Sequence, residues 1–402
     1  MRLCLFCGSQ LTRSTRPEHI LLDALGGRKT SRRVICSGCN QHFGSSIDRA
    51  LAESVARIRN LLAHPSGTGK PAPSIRYLTP TGAVRLDSAG RPTMQGKPFT
   101  LEREEGVTKL DLRANNRDQA INSLRHIAAR LGCKVDTLLS ALQRGDGTGF
   151  TETFGPAPSH RGQLSIGTED SLRSIVKSCL ELLALARGNE VVRGAPYAQA
   201  RCFVAEGTAG FNTERISLDS RPLPAEDELR RRFGPAFHLA YVASDPTGRT
   251  VGYFRLYGFV AWSILLAERD GSPDLRAGIA CNPVTGEWSD KIGQEIDLTP
   301  AWLENAKLDG HVAAERLRQI HAFAQEAALE REVDRIVRDE FERHGIRGDV
   351  VIEDEAVKAS LFGEINARIA ALAARVPYAR PVPWSRVEQW ANAQDSNESG
   401  GN

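Results

Sequence analysis

Eight cysteines are present, and four of them form two pairs, Cys4-x2-Cys7 and Cys36-x2-Cys39. A C-x2-C turn presents two thiolates at the spacing of two vertices of a tetrahedron, so two such turns close a four-sulfur zinc site. Four protein sulfurs leave no open coordination position, so this zinc is expected to be structural rather than catalytic. It would let a segment too short for its own core fold. A thioredoxin-like redox pair would need a βαβ setting and only one such turn. The 28 residues between the pairs exceed the usual span of a zinc ribbon, so something is inserted between the knuckles. The insertion contains PEHILLDALGG, residues 17 to 27, in which Glu18 and His19 stand side by side. Adjacent side chains on a strand point to opposite faces, whereas on a bend they converge. Cys133, Cys179, Cys202 and Cys281 sit singly among apolar neighbours and are expected to be small buried hydrophobes.

The elements that must position these residues follow from periodicity. EHILL and RRVIC read as short strands, with Gly26 and Gly27 turning the chain between them where a positive φ is expected. After Cys39, residues Phe43, Ile47, Leu51, Val55, Ile58 and Leu62 recur at steps of three and four. That is one face of an amphipathic helix over 40–63, with Asn40 in its first turn. The order is knuckle, strand, loop, strand, knuckle, helix.

In that order, C-x2-C, E-H-I, G-G, C-x2-C-N and F-G-x2-I-D resemble the HNH nucleases of the ββα-metal class. The likeness is to the subgroup with a four-cysteine zinc clasp, found in resolvase-type and antiphage HNH proteins, and it covers about residues 1 to 55. The resemblance implies that His19 is the general base and that Glu18 and Asn40 hold a catalytic Mg2+ or Mn2+. Those types suit the chemistry. A neutral imidazole takes a proton from water near pH 7, and Mg2+ prefers oxygen ligands. The expected product ends are 5′-phosphate and 3′-hydroxyl. Three departures stand out: Glu18 occupies a position more often Asp, the proline often found shortly after the His is replaced by leucines, and the Asn usual before the second knuckle is absent from SRRV, 31 to 34. The second nitrogen of His19 is then expected to be held by a backbone carbonyl or by Asp23. Asp48 either braces the site, touches the metal or is an ordinary salt-bridged acid, and His42 is expected at the surface.

Charge is uneven. Residues 1 to 62 carry ten Lys and Arg against four acids, a net +6, while the remainder sums to −3. A small basic module suits a polyanion partner. Arg28, Lys29, Arg32 and Arg33 flank the glycine turn and are expected to hold DNA phosphates, which gives affinity without sequence information.

HPSGTGKPAPS, 64 to 74, reads as a linker, and its GTGK is no P-loop because His64 and Pro71 stand where Gly and Ser or Thr are required. Strands are expected over 75–113. Helices are expected near 118–132, over 168–188 with a Thr168 cap, and at 196–207. Hairpins are expected around DPTGR and NPVTG. The apolar run YGFVAWSILLAERDG, 257–271, is too short to span a membrane and reads as a buried strand or short helix. With no apolar leader in residues 1 to 25, the expected location is the cytoplasm, where disulfides are rare.

The fold class is therefore α+β: a zinc-clasped ββα-metal module (1–63), a linker (64–74), a mixed α+β recognition or regulatory domain (75–298), a helical region (299–380) and a largely disordered tail (381–402). The expected function is metal-dependent DNA cleavage, nicking as a monomer, in bacterial antiphage defence or restriction. A defence-system partner or activating sensor and a homodimer are compatible partners; a membrane is not. Two alternatives stay open: a non-catalytic zinc-stabilised binding module for nucleic acid or protein, and an RNA-cleaving HNH nuclease.

Overall fold

The N-terminal segment is built on two very short strands, β1 (Glu18–His19) and β2 (Thr30–Ser31), paired antiparallel with Glu18 opposite Ser31 and His19 opposite Thr30. Both are shorter than the expected strands, and residues 32–35 follow β2 as bends. Between them the chain turns at Gly26, with φ of +80°. Gly27 is required for a different reason: a Cβ there would lie 1.8 Å from the carbonyl oxygen of Leu21.

The single helix expected over 40–63 is three: α1 (Ser37–Ser45), α2 (Ile47–Ser54) and α3 (Ala56–Leu61). The hydroxyls of Ser45 and Ser46 both donate to the carbonyl of His42, at 3.0 and 2.7 Å, and compete with the helical ladder at the first break. The apolar stripe survives both breaks, because Phe43, Ile47, Leu51, Val55, Ile58 and Leu62 are all buried.

That stripe faces α4 (Glu169–Arg187), capped by the Thr168 hydroxyl, with acids in its first turn and Arg187 in its last. Behind α4 lies a six-stranded antiparallel sheet of β3 (Ile216–Asp219), β4 (His238–Ser244), β5 (Thr250–Leu256), β6 (Val260–Ala267), β7 (Arg276–Cys281) and β8 (Trp288–Ser289). Its order is β8-β7-β4-β5-β6-β3. The run 257–271 is thus resolved in favour of a strand, β6. Alternation divides the sheet between two cores. Ala240, Val242, Phe254, Trp262 and Ile264 face α4, while Leu239, Tyr241, Val251 and Tyr253 pack on Phe233, Leu298 and Leu303. Gly252 of β5 lets α4 come close, since a Cβ there would meet Cys179 at 3.0 Å. One continuous core therefore holds Leu5, Ile20, Val34, Phe43 and Leu51 together with Ile175, Cys179 and Leu183.

The structure, a computed structural model, describes residues 2–79, 82–104, 107–144, 150–154, 166–207, 210–348 and 351–398. Its packing divides the chain differently from the expected boundaries. One compact unit joins Met1–Ile75 and Asp87–Arg91 to Gly162–Leu329; the other comprises Arg76–Leu86, Pro92–Arg161 and Glu330–Asn402. The stretch 64–74 is not a spacer, because His64 and Ser66 are buried and the His64 ring lies 2.7 Å from the Tyr257 hydroxyl. The second unit has a three-stranded sheet within 75–95, a hairpin at 99–112 and a strand Phe150–Phe154 paired with Tyr378–Val382. Its helices include Arg117–Leu131 and Glu355–Ala374. Its buried Glu340 accepts from Arg368 at 2.5 Å and from Arg380 at 2.8 Å. Of the tail expected to be disordered, Trp384–Glu398 form a helix and 399–402 lie outside the described residues. Cys179 and Cys281 are buried as expected. Cys133 is half-buried, and Cys202 is exposed because its helix turns Ala200, Phe203 and Val204 inward instead. Among the described residues no helix is long and apolar enough to cross a membrane.

Candidate active site

The four sulfurs of Cys4, Cys7, Cys36 and Cys39 all lie within 4.8 Å of one another, with Cys4 to Cys39 at 3.7 Å and Cys7 to Cys36 at 3.5 Å. A tetrahedron with Zn–S bonds of about 2.3 Å has edges of roughly 3.8 Å, so the donor set and its spacing fit zinc. The backbone N–H of Cys36 donates to Cys4 Sγ at 3.3 Å and that of Cys39 to Cys36 Sγ at 3.4 Å, as suits thiolate ligands. The clasp is also tied down from outside. Arg193 donates to the Cys4 carbonyl at 2.6 Å, and the Asn189 amide donates to the carbonyls of Leu3 and Val34 at 2.7 and 2.8 Å.

Closing the clasp returns α1 to the β1 strand. Asn40 donates its side-chain N–H to the carbonyl of Pro17 at 3.1 Å, immediately before Glu18. That bond fixes the amide and leaves Oδ1 as an oxygen donor.

His19 is half-buried, and its Nε2 lies 3.5 Å from Asp23 Oδ1. Burial lowers its pKa from the ordinary imidazole value; Asp23 opposes this, while Lys177 and Arg16 push the same way as burial. The ring is therefore neutral at pH 7 and able to accept a proton. Asp23 is held in turn. Thr68 donates to it twice, through N–H to Oδ1 at 2.8 Å and through its hydroxyl to Oδ2 at 3.2 Å, while Gly67 N–H donates to the Asp23 carbonyl at 2.8 Å. Of the two expected partners of the second imidazole nitrogen, Asp23 lies within ion-pair distance of Nε2.

Glu18 is 5% exposed, and Oε1 accepts from Lys177 Nζ at 2.6 Å. The same ammonium donates to Asp48 Oδ2 at 2.7 Å, and Asp48 Oδ1 accepts from the Ser174 hydroxyl at 2.6 Å. Both oxygens of Asp48 are thus engaged inside the protein, in a buried salt bridge to Lys177 and a hydrogen bond from Ser174. Burial raises the Glu18 carboxyl, against the pull of Lys177. Burial lowers Lys177, but Asp48, Glu181 and Glu18 together outweigh it and hold the ammonium above its ordinary range. Glu181 is fully buried, 3.9 Å from Lys177, and among the described residues neither of its oxygens has a hydrogen-bond partner. Burial pushes its carboxyl well above the ordinary range, against the pull of Lys177.

The expected phosphate contacts separate. Lys29 donates to Asp290 at 2.6 Å, and Arg32 donates to the carbonyls of Arg13 and Thr15 at 3.2 and 3.3 Å. Arg28 and Arg33 are exposed, as are Arg16 and His42. The residues that sequence reasoning did not find are Thr68, Ser174, Lys177 and Glu181. The last three were marked by a signal: they are polar residues at steps of three and four, one buried stripe on a helix rich in apolar residues.

The family model described as HNH endonuclease matches residues 4–56, from the first clasp cysteine to beyond Asp48. No curated protein and no solved structure matches the chain. The N-terminal segment is accordingly an HNH endonuclease module with a cysteine cluster suited to zinc. The activity that this family supports is nucleic-acid hydrolysis with a divalent metal.

Proposed function

We propose that the protein is a metal-dependent HNH endonuclease that hydrolyses DNA phosphodiester bonds, one strand per site, in bacterial antiphage defence or restriction. What supports this reading is the HNH family match over residues 4–56, which spans Glu18 and His19 on β1 and Asn40, whose amide donates to the Pro17 carbonyl just before them. With Asp23 on the Nε2 side, Nδ1 of His19 is left to take the proton from the attacking water. The new O–P bond forms as the P–O3′ bond breaks, which leaves 5′-phosphate and 3′-hydroxyl ends. Glu18 and Asn40 are the residues that would hold Mg2+ or Mn2+, whose chemistry is to stabilise the charge developing on the leaving oxygen. Exposed Arg16, Arg28 and Arg33 supply sequence-independent phosphate affinity. The DNA substrate, the nicking mode and the defence setting rest on the resemblance of the N-terminal segment.

The test is supercoiled plasmid with Mg2+ or Mn2+, beside labelled RNA. Wild-type protein nicks the plasmid, and His19→Ala loses roughly 100-fold or more, the lower range for a general base. Equal cleavage by both proteins would refute the assignment. Retained DNA binding without cleavage would favour a binding module, and preferential RNA cutting would replace DNA as the substrate.

A further inference from the structure

We propose that Lys177 is a positioning residue for the metal-binding carboxylate of this site, supplied by a helix outside the HNH segment. The inference rests on the nuclease reading and deepens it. Lys177 is 1% exposed, and its ammonium fixes Oε1 of Glu18. Oε2 accepts no hydrogen bond among the described residues and is not a buried orphan, so it keeps contact with solvent and is the oxygen free to meet a cation. One carboxylate is thereby divided: one oxygen anchors it to the protein and the other faces the reaction. Asp48, held by Ser174, completes the seat of the ammonium. The matched family segment ends at residue 56, so this support for Glu18 reaches it from 159 positions along the chain. Partners that orient a ligand in this way commonly set metal affinity.

The sign of the expected effect needs a charge-neutral comparison. Removing the ammonium alone would also remove a repulsion on the incoming cation, and the two effects oppose each other. Lys177→Met with Asp48→Asn deletes one positive and one negative charge together and isolates the loss of orientation. The experiment measures Mn2+ binding to the full chain by electron paramagnetic resonance, with zinc content and circular dichroism on the same samples. The double variant is expected to bind Mn2+ about 10–100-fold more weakly, with the clasp zinc retained. If it does not fold, Lys177→Gln with Asp48→Asn keeps a polar group in the pocket. Its reach is shorter, so weaker binding is again expected. Wild-type affinity in either folded variant overturns the proposal. Glu18→Gln separates the two levels. If it too binds Mn2+ like wild type, the metal-ligand reading of Glu18 fails and takes this proposal with it. If it weakens binding while the double variant does not, only the role of Lys177 falls.

Discussion

At the scale of single residues, the proposed chemistry requires His19 to remain a free base. Burial lowers its pKa, and Asp23 acts in the opposite direction. The neutral form is the working form, so activity is lost as pH falls through the folded-state pKa. The acid limb of the rate profile therefore lies below the ordinary imidazole value of about 6.5. Asp23→Asn removes the opposing interaction and shifts that limb to still lower pH. The plateau rate falls as well, because the ring loses the group that orients it. Single-turnover nicking from pH 5 to 9 reads both effects; a limb that moves upward in the variant contradicts them. The acid-His pair and Asn40 stand out in the sequence because local order places the pair between two knuckles and Asn40 directly after the second. Asp23 was legible only as one of two options. Thr68, which holds it, was hidden in a stretch that composition marks as a linker.

At the scale of elements, α4 is the part whose role the sequence conceals. Its cap, first-turn acids and closing Gly188 are local signals, and its bounds follow from them. The partners of Ser174 and Lys177 lie more than 120 positions away, and no local pattern names them. The stripe matters energetically, because a helix covered on both sides must satisfy every polar group it buries. Lys177→Met alone leaves Glu18 and Asp48 buried without their cation and is expected to cost roughly 3–5 kcal/mol in chemical denaturation. The paired change with Asp48→Asn should cost less than the single change. A double variant less stable than the single one would refute the ion-pair account. The zinc turns make a parallel case. Cys36→Ser is expected to lose one zinc per chain and to lower the melting temperature. Unchanged zinc content by inductively coupled plasma analysis would refute the clasp.

At the scale of the molecule, the nuclease segment and Gly162–Leu329 share one core. Sequence reasoning gave the α+β class and most helices and hairpins, since periodicity and turn residues act over a few positions. It also drew a boundary at 64–74, because Pro, Gly and Ser mark loops whether a loop spans solvent or braces a site. Isolated residues 1–63 would expose Ile47, Leu51 and Val55, which α4 covers in the whole chain. That fragment is therefore expected to be poorly folded even with zinc, as judged by dispersion of its amide spectrum. A well-dispersed zinc-loaded fragment would show the segment to be autonomous. The most direct measurement of the central claim is Mg2+-dependent conversion of supercoiled plasmid to the nicked form, followed by treatment with DNA ligase. Wild-type protein is expected to produce nicks that ligase seals, because the ends are 5′-phosphate and 3′-hydroxyl, and His19→Ala to be slower by at least about 100-fold. Equal nicking by the two proteins, or nicks that ligase leaves open, would contradict it.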